Sequence, residues 1–233
     1  MPNSWPSRLY ITLIGLAGAA ALAIGLAHPG FSDPGRFTAL LVVAVITSRL
    51  KVKLPGMKAN MSVSLPFLLL ASVQMQLLPT LLIALVATVA QSIPREWSSV
   101  KLVQMVFNVS AVLVAMAFAH AVQHQVHFAN PHGVLLLLLG AAAYLLANTT
   151  LVAGVVRLTS QPSLGKTWTS IFSLTYLYFV LSAAIAAAIA GFGVQWSVLL
   201  LTLIVVYGAF RSFQLYFVAM SANLAPAAAH AGD

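Results

Sequence analysis

Residues 9-LYITLIGLAGAAALAIGLA-27 run for nineteen positions without a charged side chain. An α-helix needs about 20 predominantly apolar residues to cross the hydrocarbon core of a bilayer. The run is also longer than the roughly 7–15 apolar residues in the core of a secretory signal peptide. It therefore predicts an anchoring helix, the first of a membrane protein, rather than a cleaved leader.

The composition of the whole chain agrees with this first segment. Of its 233 residues, 61% are hydrophobic and only 6% are charged, whereas a soluble domain carries about 25% charged residues. There are too few polar side chains to cover a water-facing surface. We therefore predict an all-α fold, a polytopic transmembrane helical bundle over residues 1–217, followed by a short disordered cytoplasmic tail over 218–233.

Eight hydrophobic segments are separated by polar or proline-containing breaks. Pro79 and the polar 74-QMQ-76 separate the third segment from the fourth. These two short segments could each cross the membrane, or together form a re-entrant hairpin beside six full spans. The predicted segments are 9–27, 37–50, 61–77, 79–93, 101–123, 133–157, 168–190 and 195–217.

The basic residues set the predicted orientation, because cytoplasmic loops of membrane proteins are enriched in Lys and Arg. With eight segments, ten basic residues fall on one side and only Arg36 falls on the other. Fusing the third and fourth segments leaves five against six. Both termini are therefore predicted to be cytoplasmic. The ten residues are Arg8, Arg49, Lys51, Lys53, Lys58, Arg95, Lys101, Arg157, Lys166 and Arg211.

The rarity of acidic residues and cysteines argues against several classes of protein. The three acids, Asp33, Glu96 and Asp233, all lie outside the predicted spans, whereas ion-coupled transporters usually need a buried carboxylate. The chain offers no carboxylate pair or Ser-His-Asp arrangement for hydrolysis, and no HExxH or GxSxG motif. With no cysteine, thiolate metal sites are excluded too. We predict that the chain is not an enzyme and holds no cofactor, apart from the zinc considered below.

The net charge of +8 does not indicate nucleic acid, because the basic residues are scattered between hydrophobic runs. The densest basic cluster is 49-RLKVKLPGMK-58, with four cations in ten residues. At a cytoplasmic face such a cluster attracts anionic lipid headgroups, although fixing the orientation is a sufficient reason for it. Membrane lipids are the partners that it predicts.

Four of the six histidines lie in 120-HAVQHQVHFANPH-132. His120, His124 and His127 are spaced i, i+4, i+7 on one face of the fifth helix, and His132 follows Pro131. Neutral imidazoles one helical turn apart can share a zinc ion, and one perturbed histidine is enough to sense protons. The third interpretation, which we favour, is a helix end that leaves the membrane into water.

Two pairs of polar residues lie inside predicted spans, Gln104 with Asn108 and Tyr144 with Asn148. Asn108 and Asn148 are each roughly 10–14 Å from the cytoplasmic boundary on consecutive antiparallel helices. We expect an interhelical hydrogen bond between them, of the kind that holds membrane helices together. The alternative is that these residues form the floor of a cavity for a small ligand or a lipid headgroup.

An aromatic stripe follows the seventh predicted span. Trp168, Phe172 and Tyr176 recur at i, i+4, i+8. Such spacing usually serves packing, and it could equally provide the wall of a ligand pocket.

Five stretches together resemble a known type of bacterial membrane region: 49-RLKVKLPG-56, 61-MSVSLPFLLLA-71, 101-KLVQMVFNVS-110, 144-YLLANTTLVA-153 and 209-AFRSFQLYF-217. This is the multi-helix membrane-associated sensor region that precedes diguanylate cyclase or HD-type cyclic-diguanylate phosphodiesterase domains. The resemblance covers about residues 37–217.

The resemblance implies a periplasm-facing helical bundle in the bacterial inner membrane that passes a signal through its last helix. Arg211, Ser212 and Tyr216 match the exit segment. The chain departs from the pattern after Phe217, where it offers only 218-VAMSANLAPAAAHAGD-233 and no output domain. We therefore expect a non-enzymatic sensor-type or scaffold module that acts through a cytoplasmic signalling protein.

The alternative is the substrate-binding membrane subunit of an energy-coupling-factor-like transporter, which would bind a vitamin and rely on a separate ATPase module. The small-residue stretches 15-GLAGAAALAIG-25 and 182-SAAIAAAIAG-191 could dock such a module. A structural membrane protein with neither ligand nor signal is the third class. The identity of the partner distinguishes the first two classes, because a sensor module would bind a signalling protein and a transporter subunit would bind an ATPase pair.

Overall fold

The computed structural model describes residues 5–31, 33–53, 60–93, 102–125, 133–160, 163–193, 195, 197–208 and 210–211. Within these ranges the fold is almost entirely helical, which confirms the predicted all-α membrane bundle. The helices are α1 (Trp5–Ala27), α2 (Pro34–Ser48), α3 (Leu65–Gln74), α4 (Leu77–Ser92), α5 (Leu102–Gln125), α6 (Gly133–Ser160), α7 (Leu164–Phe192) and α8 (Ser197–Gly208). A short antiparallel hairpin of β1 (Lys51–Lys53) and β2 (Asn60–Ser62) stands between α2 and α3.

Four helices in the described part of the chain are long and apolar enough to cross a membrane. The stretches that meet this requirement of length and composition are Trp5–Ala27, Leu102–Gln125, Val134–Thr159 and Thr175–Phe192. The other four helices, α2, α3, α4 and α8, are shorter but also apolar. Each of the eight predicted segments therefore corresponds to a helix.

The third predicted segment, 61–77, is wrong at its start, where β2 and a turn replace helix. The helix begins only at Leu65, with Pro66 in its first turn. It ends before Met75, and the extended Met75 and Gln76 separate it from α4. A helix of ten residues is about 15 Å long, half of a hydrocarbon core of about 30 Å, so α3 cannot cross the bilayer by itself.

Helices α3 and α4 run in opposite directions. The C-terminal part of α3 contacts the last turns of α5 through Ser72, and α4 begins where Leu78 packs on Gly25 near the end of α1. At the far end of α4, the Arg49 guanidinium donates hydrogen bonds to the carbonyls of Ala90 and Ile93 at 2.6 and 3.1 Å. The third and fourth segments are therefore two antiparallel helices and not one fused span.

The bundle has two chemically different ends. We name the histidine end as the one where α1 and α5 finish and α2, α4 and α6 begin. His28, His120 and His124 lie there. The basic end is the opposite one, where the hydroxyl of Tyr10 donates to the Leu151 carbonyl at 3.0 Å and ties α1 to α6. The cations whose side chains are described there are Arg8, Arg49, Lys51, Arg157, Lys166 and Arg211.

Helix α3 lies at the centre of the bundle, in contact with α2, α4, α5, α6 and α7. It is apolar on every side, and its Phe67, Leu69 and Leu70 are fully buried. A helix that is hydrophobic all round belongs in an interior. Around it, close helix pairs depend on glycine: a Cβ on Gly18 of α1 would lie 2.9 Å from the Cα of Ser110 in α5.

Candidate functional site

Helix α3 ends in the interior of the protein, so its last main-chain carbonyls need hydrogen-bond donors from the protein itself. The last four carbonyls of any helix have no partner within the helix. The Ala71 carbonyl accepts from the Met75 main-chain N–H at 2.9 Å and from the Thr80 hydroxyl at 3.1 Å. The Ser72 carbonyl accepts from side chains of α5 instead.

Two histidines converge on the Ser72 carbonyl. His120 Nδ1 lies 3.0 Å and His124 Nε2 lies 3.1 Å from this oxygen. Their ring centroids are 4.1 Å apart. Because a carbonyl can only accept, both facing nitrogens donate an N–H. In the neutral rings the outer nitrogens, His120 Nε2 and His124 Nδ1, then carry lone pairs.

Gln123 extends the same network to α6. The buried Ser72 hydroxyl lies 2.7 Å from Gln123 Oε1 and 2.8 Å from the Leu69 carbonyl. Gln123 Nε2 donates to the Leu136 carbonyl at 3.0 Å. The amide fits because Gly140 has no side chain there, since a Cβ would collide with it. We call Ser72, His120, Gln123 and His124 the Ser72 cluster.

The predicted four-histidine zinc site is only half within the described residues. His127 and His132 lie outside them, so that arrangement stays a prediction. Among the described residues there is no group of three or more His, Asp or Glu side chains placed to hold a metal. His120 and His124 are bound to α3 rather than standing at a free helix end, with His120 partly buried and His124 exposed.

The intramembrane amides do not meet in the described structure. Gln104 is exposed, and Asn108 and Asn148 are each partly buried. No hydrogen bond joins Asn108 to Asn148 within the described ranges. Tyr144 is buried and packs against the ring of Phe179, with centroids 5.7 Å apart.

The aromatic stripe of α7 forms a ladder of stacked rings. The centroids of Trp168 and Phe172 are 5.0 Å apart with planes at 12°, and those of Phe172 and Tyr176 are 6.3 Å apart at 16°. Tyr176 is half exposed and lines an apolar groove of about 270 Å³ between α6 and α7. The remaining walls come from α6 between Leu138 and Leu145 and from α7 between Phe172 and Val180.

The other end of α3 is tied to α7. The Tyr178 hydroxyl donates to the Ser62 carbonyl at 2.5 Å, and the Ser62 and Ser64 hydroxyls are 2.9 Å apart. The hairpin that enters this region carries Lys51, whose pKa is lowered by burial and then by the neighbouring Arg49 charge. Helix α3 therefore connects the Ser72 cluster to a contact at the middle of α7.

Sequence reasoning did not single out Ser72 or Gln123. The signal was present for Ser72, which is a polar residue in the apolar stretch 65-LPFLLLASV-73, whereas Gln123 was hidden among the histidines of 120–132. Of the predicted exit segment, Arg211 lies just beyond α8, whereas Ser212, Tyr216 and the tail 218–233 lie outside the described residues.

A polytopic helical bundle with a polar cluster at one end and cations at the other has the general form of a membrane sensor region. The comparison with protein families agrees: the MASE9 family profile matches residues 15–217. The chain therefore belongs to the MASE9 family, a family of membrane-associated sensor-type domains. No curated protein and no solved structure matches the chain.

Proposed function

We propose that this chain is a non-enzymatic sensory module of the bacterial inner membrane that acts through a cytoplasmic signalling protein. Membership in a membrane sensor-type family supports the general role. The orientation is supported by charge, since cytoplasmic surfaces are enriched in Lys and Arg. Arg36, paired with Asp33 at 3.5 Å, lies at the histidine end. Six cations with described side chains lie at the basic end, which we assign to the cytoplasm.

The observation that carries the proposal is the sharing of one Ser72 carbonyl by His120 and His124. Any ligand or ion that engages these imidazoles changes the hydrogen bonding of the α3 terminus. Because α3 is short and fully packed, it moves as a unit rather than deforming. Its opposite end meets α7 through Ser62 and Tyr178. This gives a continuous packed route from the histidine end to the middle of α7, which leads on to α8.

The first test is affinity purification from the native membrane in mild detergent, with mass spectrometry of proteins and small molecules. Co-purification of a cyclic-nucleotide enzyme, or of another cytoplasmic signalling enzyme, is the expected result. Removal of residues 211–233 should abolish that association. Co-purification of an ATPase pair, or of one vitamin molecule per chain, would replace the proposal with the transporter alternative.

The role of the Ser72 cluster is tested by the activity of the captured enzyme. His120→Gln and His124→Gln each keep an N–H donor for the Ser72 carbonyl but remove an imidazole. We expect the partner to bind both variants and its response to conditions outside the cell to be lost. His28→Gln is the matched control, because His28 also lies at the histidine end but, among the described residues, its ring hydrogen-bonds only the Ile24 carbonyl of its own helix, at 3.2 Å. An unchanged response in both cluster variants would contradict the assigned route.

A further inference from the structure

We propose that the Ser72 carbonyl, His120 and His124 form a binding site for a divalent ion of the zinc class. This inference rests on the proposed function in one respect, because it names the ligand of the same cluster. The binding itself is a property of the isolated chain and is measured without any partner.

The first argument is geometric. The two nitrogens lie 3.0 and 3.1 Å from the shared oxygen. Tetrahedral zinc holds nitrogen and oxygen ligands at about 2.0–2.2 Å, which separates neighbouring ligand atoms by about 3.3–3.6 Å. The two nitrogen–oxygen distances are therefore within a few tenths of an ångström of the spacing that the ion requires, and the ring centroids, 4.1 Å apart, place the two imidazoles side by side. Small rotations of two side chains supply the difference.

An ion can replace the two hydrogen bonds to the Ser72 carbonyl without any net release of protons, because each neutral ring can carry its proton on either nitrogen. In the present state His120 Nδ1 and His124 Nε2 carry the protons that face the carbonyl. When the ion binds, each ring adopts its other neutral tautomer, with the protons on His120 Nε2 and His124 Nδ1. Once the rings turn from the carbonyl toward the ion, both facing lone pairs can bind it, and the Ser72 oxygen binds the ion in place of two N–H groups.

The second argument is electrostatic. The site lies at the C-terminus of α3, where the partial negative charge of a helix favours a cation. Helices α3 and α4 contain no ionisable side chain, and the only described ionisable groups on α1 and α6 lie at the basic end or mid-bundle. No described cation from these four helices therefore competes for the site, and Arg36 of α2, at the same end of the bundle, is paired with Asp33. At the same helix end, Gln74 Oε1 is buried and has no donor in the described part of the chain.

The donor set indicates the class of ion. Two imidazoles and one carbonyl suit zinc, cobalt, nickel or copper, whereas magnesium and calcium prefer sites made of oxygen alone. His124 lies in the last turn of α5 and is exposed, so the site is open on the outer side of this ring. A site with three protein donors leaves one tetrahedral position for water, as in open zinc centres rather than closed structural ones.

The test uses the full chain, purified in detergent and freed of metal. Cobalt is titrated first, because a tetrahedral cobalt centre absorbs visible light, and zinc is then added to displace it. We expect one ion per chain, and a zinc-induced rise in Tm of about 5–10 °C at a hundredfold excess over Kd. His120→Gln and His124→Gln should each raise the apparent Kd at least about tenfold. Even the loss of a residue that only hydrogen-bonds a metal ligand weakens metal binding by about that much. His28→Gln should leave the Kd unchanged.

Three outcomes would overturn the inference. They are the absence of ion binding to the wild-type chain, equal binding by both cluster variants, and loss of binding in His28→Gln. X-ray absorption of the zinc-loaded wild-type chain gives an answer that does not depend on the folding of any variant. Two imidazole nitrogens in the first shell support the site, and a shell of oxygen atoms alone rejects it. A negative result leaves the partner experiment intact, so the two proposals fail separately.

Discussion

The hydroxyl of Tyr178 donates a hydrogen bond to the main-chain carbonyl of Ser62 across 116 positions of sequence. Tyr178 stands near the middle of the 29-residue helix α7. The extended segment that ends at Ser62 therefore enters the bundle deeply enough to meet the midpoint of α7. In a lipid environment, extended backbone is tolerated only where protein or water satisfies it, and this phenol is one such partner.

Tyr178→Phe should destabilise the fold, because the Ser62 carbonyl loses its donor in a buried place. The expected cost is about 1–3 kcal/mol, seen as a lower Tm in detergent. Tyr207→Phe is the control, since that ring on α8 is half exposed. In the captured complex, Tyr178→Phe should also weaken the response of the partner. Equal melting of the two variants would show that the contact contributes nothing to stability.

Gly18→Ala should separate α1 from α5, because the new methyl group would lie 2.9 Å from main-chain and side-chain carbons of Ser110. Overpacking of this kind costs about 1–3 kcal/mol. Gly15→Ala, one turn earlier on the same helix, meets nothing within 4 Å. It should leave stability unchanged or raise it by about 0.5–1 kcal/mol, because alanine favours the helix. Thermal melts of the two variants side by side measure the difference.

Ser72→Ala and Gln123→Leu should show coupled effects on stability. Their side chains are bonded at 2.7 Å, so the double variant should lose less than the sum of the single variants. A double-mutant cycle should give an interaction energy of about 0.5–2 kcal/mol. Strict additivity would place the two side chains out of contact.

Asn108→Leu and Asn148→Leu should behave independently. No hydrogen bond joins the two amides in the described structure, and residues without shared contacts usually add within about 0.5 kcal/mol. Each single variant is measured by thermal melting beside the double variant. A clear departure from additivity would contradict this expectation and support the interhelical hydrogen bond that the sequence predicted.

The eight helices could be predicted because long apolar runs and the positions of charges depend only on local sequence and on the bilayer. The hairpin of Lys51–Lys53 with Asn60–Ser62 could not, because strands of three residues carry almost no periodic signal. Their pairing depends on tertiary neighbours such as Tyr178. The apolar character of residues 61–77 also led to the wrong prediction that the third helix starts at residue 61.

The candidate site was predictable only in part. The spacing of His120 and His124 placed both rings on one face of α5, as the structure shows. Their common partner is a backbone oxygen of Ser72, and every residue has such an oxygen, so no side-chain pattern could indicate it. The depth argument for Asn108 and Asn148 gave their height along the helices but not the direction in which each side chain turns.

The unequal lengths of the helices have a consequence for the surrounding lipid. Helices α2 and α4 are about 22 and 24 Å long, whereas α6 is about 42 Å long. Val42 and Ile46 of α2 and Val86 of α4 are exposed on the short flank. Lipids beside this flank meet a thinner hydrophobic belt than those beside α6, and such mismatch costs fractions of a kcal/mol per ångström. A given bilayer therefore cannot match both flanks of the protein at once. A change in membrane thickness will alter the hydrophobic mismatch at the α2 and α4 flank differently from the mismatch at α6.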